Sequence, residues 1–265
     1  MKLLLLPLLL VAGGLTPLSA HECWLQPSTF APAAGGKVRL TLQVGMEFKG
    51  EPRAFNPARV AALKHFSAAG AEDWTARVAT ALELPVALAA PGTHVLAYDS
   101  KPSFIELDAE KFREYLVEEG LDHILAERER AGESGKPGRE RYQRCIKTIL
   151  QAGGKSDTSH AVATGQHLEI IALDDPAAIR PGGMIHFKIL LAGQPLGGAE
   201  VRAWHRQGDK LTVLHARTAA NGEVSFALFQ AGEWMISIVH MARVTGDPAA
   251  DWESYWGNLT FAVGP

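Results

Sequence analysis

The chain has 265 residues, of which 47% are hydrophobic and 21% charged, and its formal net charge is -3. This balance excludes a disordered chain, and the lack of a basic excess argues against a nucleic-acid partner or an anionic membrane surface. The length accommodates one or two domains with a substantial core.

Residues 1–20 (MKLLLLPLLLVAGGLTPLSA) place Lys2 before a leucine-rich run and end in small residues. This is the layout of a cleavable secretory signal peptide, with Leu18 a less usual residue three places before the cut. The expectation is an exported protein, most simply periplasmic. No later apolar run approaches 18 residues, so no stable membrane insertion is expected after cleavage.

Cleavage after Ala20 would expose His21 as the first residue. Its free amine and imidazole nitrogen together chelate a transition metal, and these donors suit Cu(II), Ni(II) and related ions. A second histidine would complete a histidine brace. The plain alternative is that His21 merely follows the leader. The two cysteines, Cys23 and Cys145, leave three readings open. They form a disulfide, Cys23 serves as a thiolate ligand beside His21, or both are small buried hydrophobes. The disulfide is slightly favoured.

Residues 21–106 read as an N-terminal β unit. Val38, Leu40, Leu42 and Val44 alternate with polar or small residues, and 59–66, 74–79, 82–88 and 93–98 are further strands. Residues 107–155 read as a helical insertion. Asp108 caps a helix carrying Phe112, Tyr115 and Leu116, Gly120 breaks it, and 121–131 continues. After a loop at 132–138, Tyr142, Cys145, Ile146, Ile149 and Leu150 form a stripe with helical spacing, ended by Gly153 and Gly154. The charges around that stripe read as a solvated helix face.

Residues 160–265 return to β pattern. Strands are expected at 167–173, 185–191, 199–205, 211–217, 223–229, 233–243 and 258–263, with turns such as Arg180-Pro181-Gly182-Gly183 and Asn221-Gly222. The fold class is therefore mainly β, with immunoglobulin-like or transthyretin-like sandwich units and a helical insertion. No G-x-S-x-G elbow, P-loop, H-E-x-x-H or strand-borne G-x-G-x-x-G occurs, so no catalytic residue is assigned.

Several segments in order carry a resemblance: 21–27 (HECWLQP), 112–122 (FREYLVEEGLD), 139–150 (RERYQRCIKTIL), 193–198 (GQPLGG), 233–241 (EWMISIVHM) and 251–261 (DWESYWGNLTF). Together they resemble the domain-of-unknown-function 4198 family, exported bacterial proteins of which some are linked to nickel and cobalt uptake. The resemblance spans the mature chain. It implies a β-sandwich with a helical insertion, a periplasmic location and an accessory role beside a membrane metal importer. It also matches His21 and His240 to the family's exported histidine and to the histidine near the end of its penultimate strand. Cys23 and Cys145 depart from the family pattern together, which supports a disulfide special to this protein.

Of the 10 histidines, His240 is the candidate second ligand, on a strand apolar on both faces. His205 and His94 are candidate third ligands. His65, His123, His160, His167, His186 and His215 read as surface or strand-edge residues. Trp252, Tyr255 and Trp256 read as the cover of one sandwich end, or as a lining for a carbohydrate or metal chelate. Three functions follow. The first is an accessory protein binding Ni(II), Co(II) or Cu(II) through His21 and His240, without substrate chemistry. The others are a copper-dependent oxidative enzyme and a metal-free interaction module.

Overall fold

The computed structural model describes residues 22–265; residues 1–20, read above as a signal peptide, and His21 lie outside the described residues. In chain order the strands are β1 (Glu22–Pro27), β2 (Lys37–Met46), β3 (Lys49–Arg53), β4 (Val60–Ser67), β5 (Gly70–Asp73), β6 (Glu83–Ala87), β7 (Gly92–Ser100) and β8 (Ser103–Leu107). Helices α1 (Ala109–Glu118) and α2 (Asp122–Arg130) follow, and then β9 (Gly138–Ala152). The remainder is β10 (Leu168–Ala172), β11 (Gly183–Leu191), β12 (Gln194–Pro195), β13 (Glu200–Gln207), β14 (Lys210–Arg217), β15 (Glu223–Leu228), β16 (Gly232–Arg243) and β17 (Trp252–Val263).

One nine-stranded sheet runs β14-β13-β16-β17-β9-β7-β4-β5, with β8 also paired to β9. It draws strands from both halves of the chain. They meet where β17 pairs β9 in parallel, from Trp252↔Glu140 to Thr260↔Thr148. Two four-stranded sheets cover it. The sheet of β1, β2, β3 and β6 packs on one face, which we call the lower face, through Leu25, Leu40, Leu96, Ile146 and Leu150. The sheet of β10, β11, β12 and β15 packs on the upper face through Leu168, Phe187, Phe226, Ile149 and Ile236.

The helices lie on the lower face beside the first small sheet. Phe112, Tyr115, Leu116 and Ile124 pack onto Val239, Met241, Trp252 and Trp256. Asp108 accepts a hydrogen bond from the Lys111 amide at 2.9 Å, the N-cap that the sequence predicts. Gly120 ends α1 with φ +65, a left-handed conformation that glycine adopts without steric cost. The Phe112 ring lies against Gly138, where an added Cβ would meet it at 2.2 Å.

The expected second helix is strand β9. Its residues sit between two covered faces, so apolar side chains occupy both sides. Cys145 and Ile149 enter the upper core, and Ile146, Leu150 and Ala152 the lower one. Such a run also satisfies a 3.6-residue period. Residues 74–79, expected as a strand, contain a 3-10 turn at Thr75–Arg77. The other expected β segments match strands within a few residues, except that β17 extends back to Trp252.

The favoured Cys23–Cys145 disulfide is corrected: both thiols are free and buried. Cys23 lies in the lower core and Cys145 in the upper one, with the central sheet between them. Burial pushes their thiols up to about 11 and about 12, so neither is a thiolate at neutral pH.

Lys147 sits on β9 among apolar neighbours, and its Nζ lies 2.6 Å from Glu169 Oε1, with both side chains 3% exposed. Glu169 also accepts from the Thr164 hydroxyl at 2.9 Å and the Gly165 amide at 3.1 Å. Removing one partner strands a buried charge. Lys147→Ala should therefore lower unfolding stability by about 3–5 kcal/mol in urea titration, whereas Lys147→Met with Glu169→Leu should cost less than either single change. A loss below about 1 kcal/mol in Lys147→Ala would contradict a buried ion pair.

Candidate functional site

The described chain starts in a polar chamber beneath the central sheet. Glu22 opens β1 and is 5% exposed. Ser237, Trp204, Arg202 and Arg144 surround its carboxyl, while Oε2 has no partner among the described residues. Trp204 Nε1 donates to Ser237 Oγ at 2.8 Å, which orients that hydroxyl. The strand is then fixed by Trp24, fully buried against Phe48, Trp204 and Met235. Thr260 Oγ1 donates to the Leu25 carbonyl at 2.7 Å and ties β1 to β17.

Arg202 links this chamber to the turn between α1 and α2. Its guanidinium donates to Glu119 Oε2 at 3.0 Å and to the Glu118 carbonyl. Two buried carboxyls, Glu22 and Glu119, thus face one guanidinium. Burial is the largest influence on each, raising Glu22 to about 7 and Glu119 to about 8 despite Arg202. Deeper under the helices, Glu140 accepts from Tyr115 at 3.1 Å and from Ser254.

The other side of the same turn lines a cleft of about 340 Å³, with Gly120, His123, Leu196, Glu200, Arg217 and His240 among its walls. The cleft exists because β13 pairs β16 only as far as Arg202↔Ser237, while β16 runs on to Arg243. His240 follows Ile238 on the upper side of β16 and is half-buried at this free edge. Its ring stacks with His123 at 5.8 Å between centroids. Burial, with His123 and His167 nearby, holds the His240 imidazole down at about 4, so it is neutral at neutral pH.

His123 is exposed, in keeping with its reading as a surface or strand-edge residue, and its stacking on His240 is what the sequence does not show. Nothing in its local pattern marks it, because its partner lies 117 positions away on β16. The candidate third ligands are committed elsewhere. His94 is hydrogen-bonded to His65 at 2.8 Å and to the Ala90 carbonyl at 2.9 Å. His205 meets the Ala231 carbonyl at 2.9 Å. His65 is buried, contrary to its reading as a surface or edge residue. Trp252 and Trp256 lie beneath the helices at 1% and 4% exposed, so neither offers an exposed ring face. Among the described residues, no group of three His, Cys, Asp or Glu side chains is placed to hold a metal, and no helix is long and apolar enough to cross a membrane.

Residues 18–242 match the family described as "Domain of unknown function (DUF4198)", as the sequence resemblance implied. No curated protein matches the chain. Among solved structures, it is similar to three N-terminal domains of the bacteriophage RB49 Highly Immunogenic Outer Capsid protein, at 10% identity and TM-score 0.21. That alignment covers 91% of this chain and 59% of the three-domain chain. It is also similar to a tetra-tandem repeat from the extending region of a large adhesion protein, at 9% identity and TM-score 0.24, covering 92% and 50%. The chain thus spans between half and three-fifths of the length of these structures.

The chamber has a pH signature. Glu22 and Glu119 titrate above their unfolded value of 4.5, so the stability they contribute falls as pH rises towards about 7 and about 8. His65 and His240 titrate at about 4 instead of 6.5, so their contribution falls as pH drops below 6.5. Unfolding stability measured in urea should therefore decline between pH 6.5 and about 8, and Glu22→Gln should flatten that decline. A variant with the same slope as the parent would contradict the assignment.

Proposed function

The chain belongs to the DUF4198 family of domains of unknown function, and from that premise we propose that its exported form binds Ni(II), Co(II) or Cu(II) as an accessory to metal uptake. The supporting observation is the anchoring of Glu22. Cleavage after Ala20 leaves a single residue, His21, ahead of a buried strand held by Trp24 and Thr260. Attachment to an anchored strand would limit the freedom that a chelating residue loses on binding an ion.

His21 supplies the amine and imidazole of the chelate. His240 is the proposed second ligand. Glu22 interacts with Glu119, and Gly120, the next residue, lines the cleft shared with His240. Glu22 lies below the central sheet and His240 on its upper side, so an ion shared by the terminus and the imidazole would sit at the free edge of β16, around that turn. The protein's part is to capture and orient the ion in the periplasm and present it to a membrane importer. A copper oxidase would need an exposed aromatic platform, and Trp252 and Trp256 are buried.

Calorimetric titration of the untagged, exported protein tests this reading. The expected result is one-to-one binding at sub-micromolar Kd, weakened at least about tenfold, or about 1.4 kcal/mol, by one alanine added before His21. That addition keeps the imidazole and moves the amine. Equal affinity with and without the added residue would remove the N-terminal chelate.

A further inference from the structure

We propose that the chamber beneath the central sheet binds a small carboxylate anion, held by the Arg144 guanidinium between Glu22 and Asn258. The inference goes beyond the metal reading above. It uses neither His21 nor a metal ion.

Three buried polar atoms here have no hydrogen-bond partner among the described residues: Glu22 Oε2, Arg144 Nη1 and Asn258 Oδ1. Glu22 and Asn258 are 5% and 2% exposed. Buried polar groups are normally paired, so three orphans in one chamber mark a place for a further polar group. The sheet register brings them together. Asn258 on β17 is paired with Ser237 on β16, which borders the Glu22 carboxyl. Arg144 on β9 is paired with Trp256, two residues along β17 and on the same side as Asn258. Glu22 lies in the field of Arg144, yet neither orphan atom reaches a partner. The space between them is therefore wider than a hydrogen bond.

Arg144 selects an anion. Its guanidinium lies over the Trp256 ring at 5.0 Å and the Tyr142 ring at 5.5 Å. Aromatic faces hold a guanidinium by its plane and leave its N–H edge for a ligand. That edge matches a carboxylate, which accepts two parallel N–H bonds. Arg144 is half-buried, so it reaches from solvent into the chamber and marks the way in.

The other two groups turn donor towards an anion. Burial raises the Glu22 carboxyl to about 7, so at neutral pH about half of it carries the proton and can donate. The Asn258 amide is bound only through Nδ2 to the Met235 sulfur at 3.5 Å, and a thioether is a weak acceptor. A half-turn of that amide presents Nδ2 to the chamber. The second guanidinium, Arg202, is already taken by Glu119 and the Glu118 carbonyl. Glu140, the other carboxyl near Arg144, accepts from Tyr115 and Ser254, and burial holds it above the usual carboxylate range. With Glu22 protonated, Arg144 lacks a counter-charge that a carboxylate supplies and a water molecule does not.

The test is calorimetric titration of the metal-free, exported protein with acetate at constant ionic strength, with chloride and glycine as comparisons. The proposal expects saturable one-to-one binding of acetate, at least about tenfold tighter than chloride or glycine, and its loss in Arg144→Gln. Urea titration checks that this variant is folded. Glu22→Gln fixes a neutral donor in the chamber, and its result does not depend on the stability of Arg144→Gln. At pH 8, about one unit above the Glu22 value, only about a tenth of the parent carboxyls are protonated, so Glu22→Gln should bind acetate up to about tenfold more tightly than the parent. No saturable acetate binding, or binding matched by chloride, would overturn the proposal. Tighter binding of glycine would also overturn it, because Glu22 and Asn258 would then be accepting from an ammonium group. Metal titration decides the N-terminal chelate separately, so either reading can fail without the other.

Discussion

The parallel pairing of β17 with β9 is the constraint on which the rest of the structure depends. It joins strands from the two halves of the chain into one sheet, from Trp252↔Glu140 to Thr260↔Thr148. With β17 and β9 central, both faces must be covered, because neither strand offers a polar side to water. The two small sheets and the helices do this. β1 is held on the lower face partly by β17 itself, through Thr260, and β16 is carried at the other flank of β17. The chain start and His240 therefore take their positions from the same strand.

Polar groups inside this arrangement are tied down rather than solvated. Lys147 and Glu169 neutralise each other in the upper layer. In the lower layer Arg202 serves Glu119 and the end of α1, leaving Glu22 with hydroxyl and indole neighbours. Burial of so many carboxyls beside two arginines makes the chamber costly unless its geometry is kept. That requirement fixes the first residue of β1 and the α1–α2 turn relative to each other, and the cleft beside His123 and His240 lies across that turn.

Much of the fold was legible in the chain. Asp108 announced α1, Asn221-Gly222 a turn, and alternation in 233–243 a strand. β9 was not legible, because Cys145, Ile146, Ile149 and Leu150 are apolar on both sides of a central strand and so mimic a helical stripe. The disulfide expectation failed with it, since helix or strand decides which face Cys145 presents. At the site, His240 was singled out by its strand. The chamber around Glu22 was not, because it arises from burial by distant elements, and neither was the stacking of His123 on His240, which depends on the early end of the β13–β16 pairing. Neither is written in local spacing.

The central claim is that histidine nitrogens of this fold hold a transition-metal ion. X-ray absorption on the exported protein loaded with one equivalent of Ni(II) or Cu(II) tests it most directly. The account predicts a nitrogen-dominated shell at about 2.0–2.1 Å with the outer scattering of more than one imidazole, reduced when His240 is replaced. An oxygen-only shell, or one unchanged by that replacement and by an added residue before His21, would contradict it.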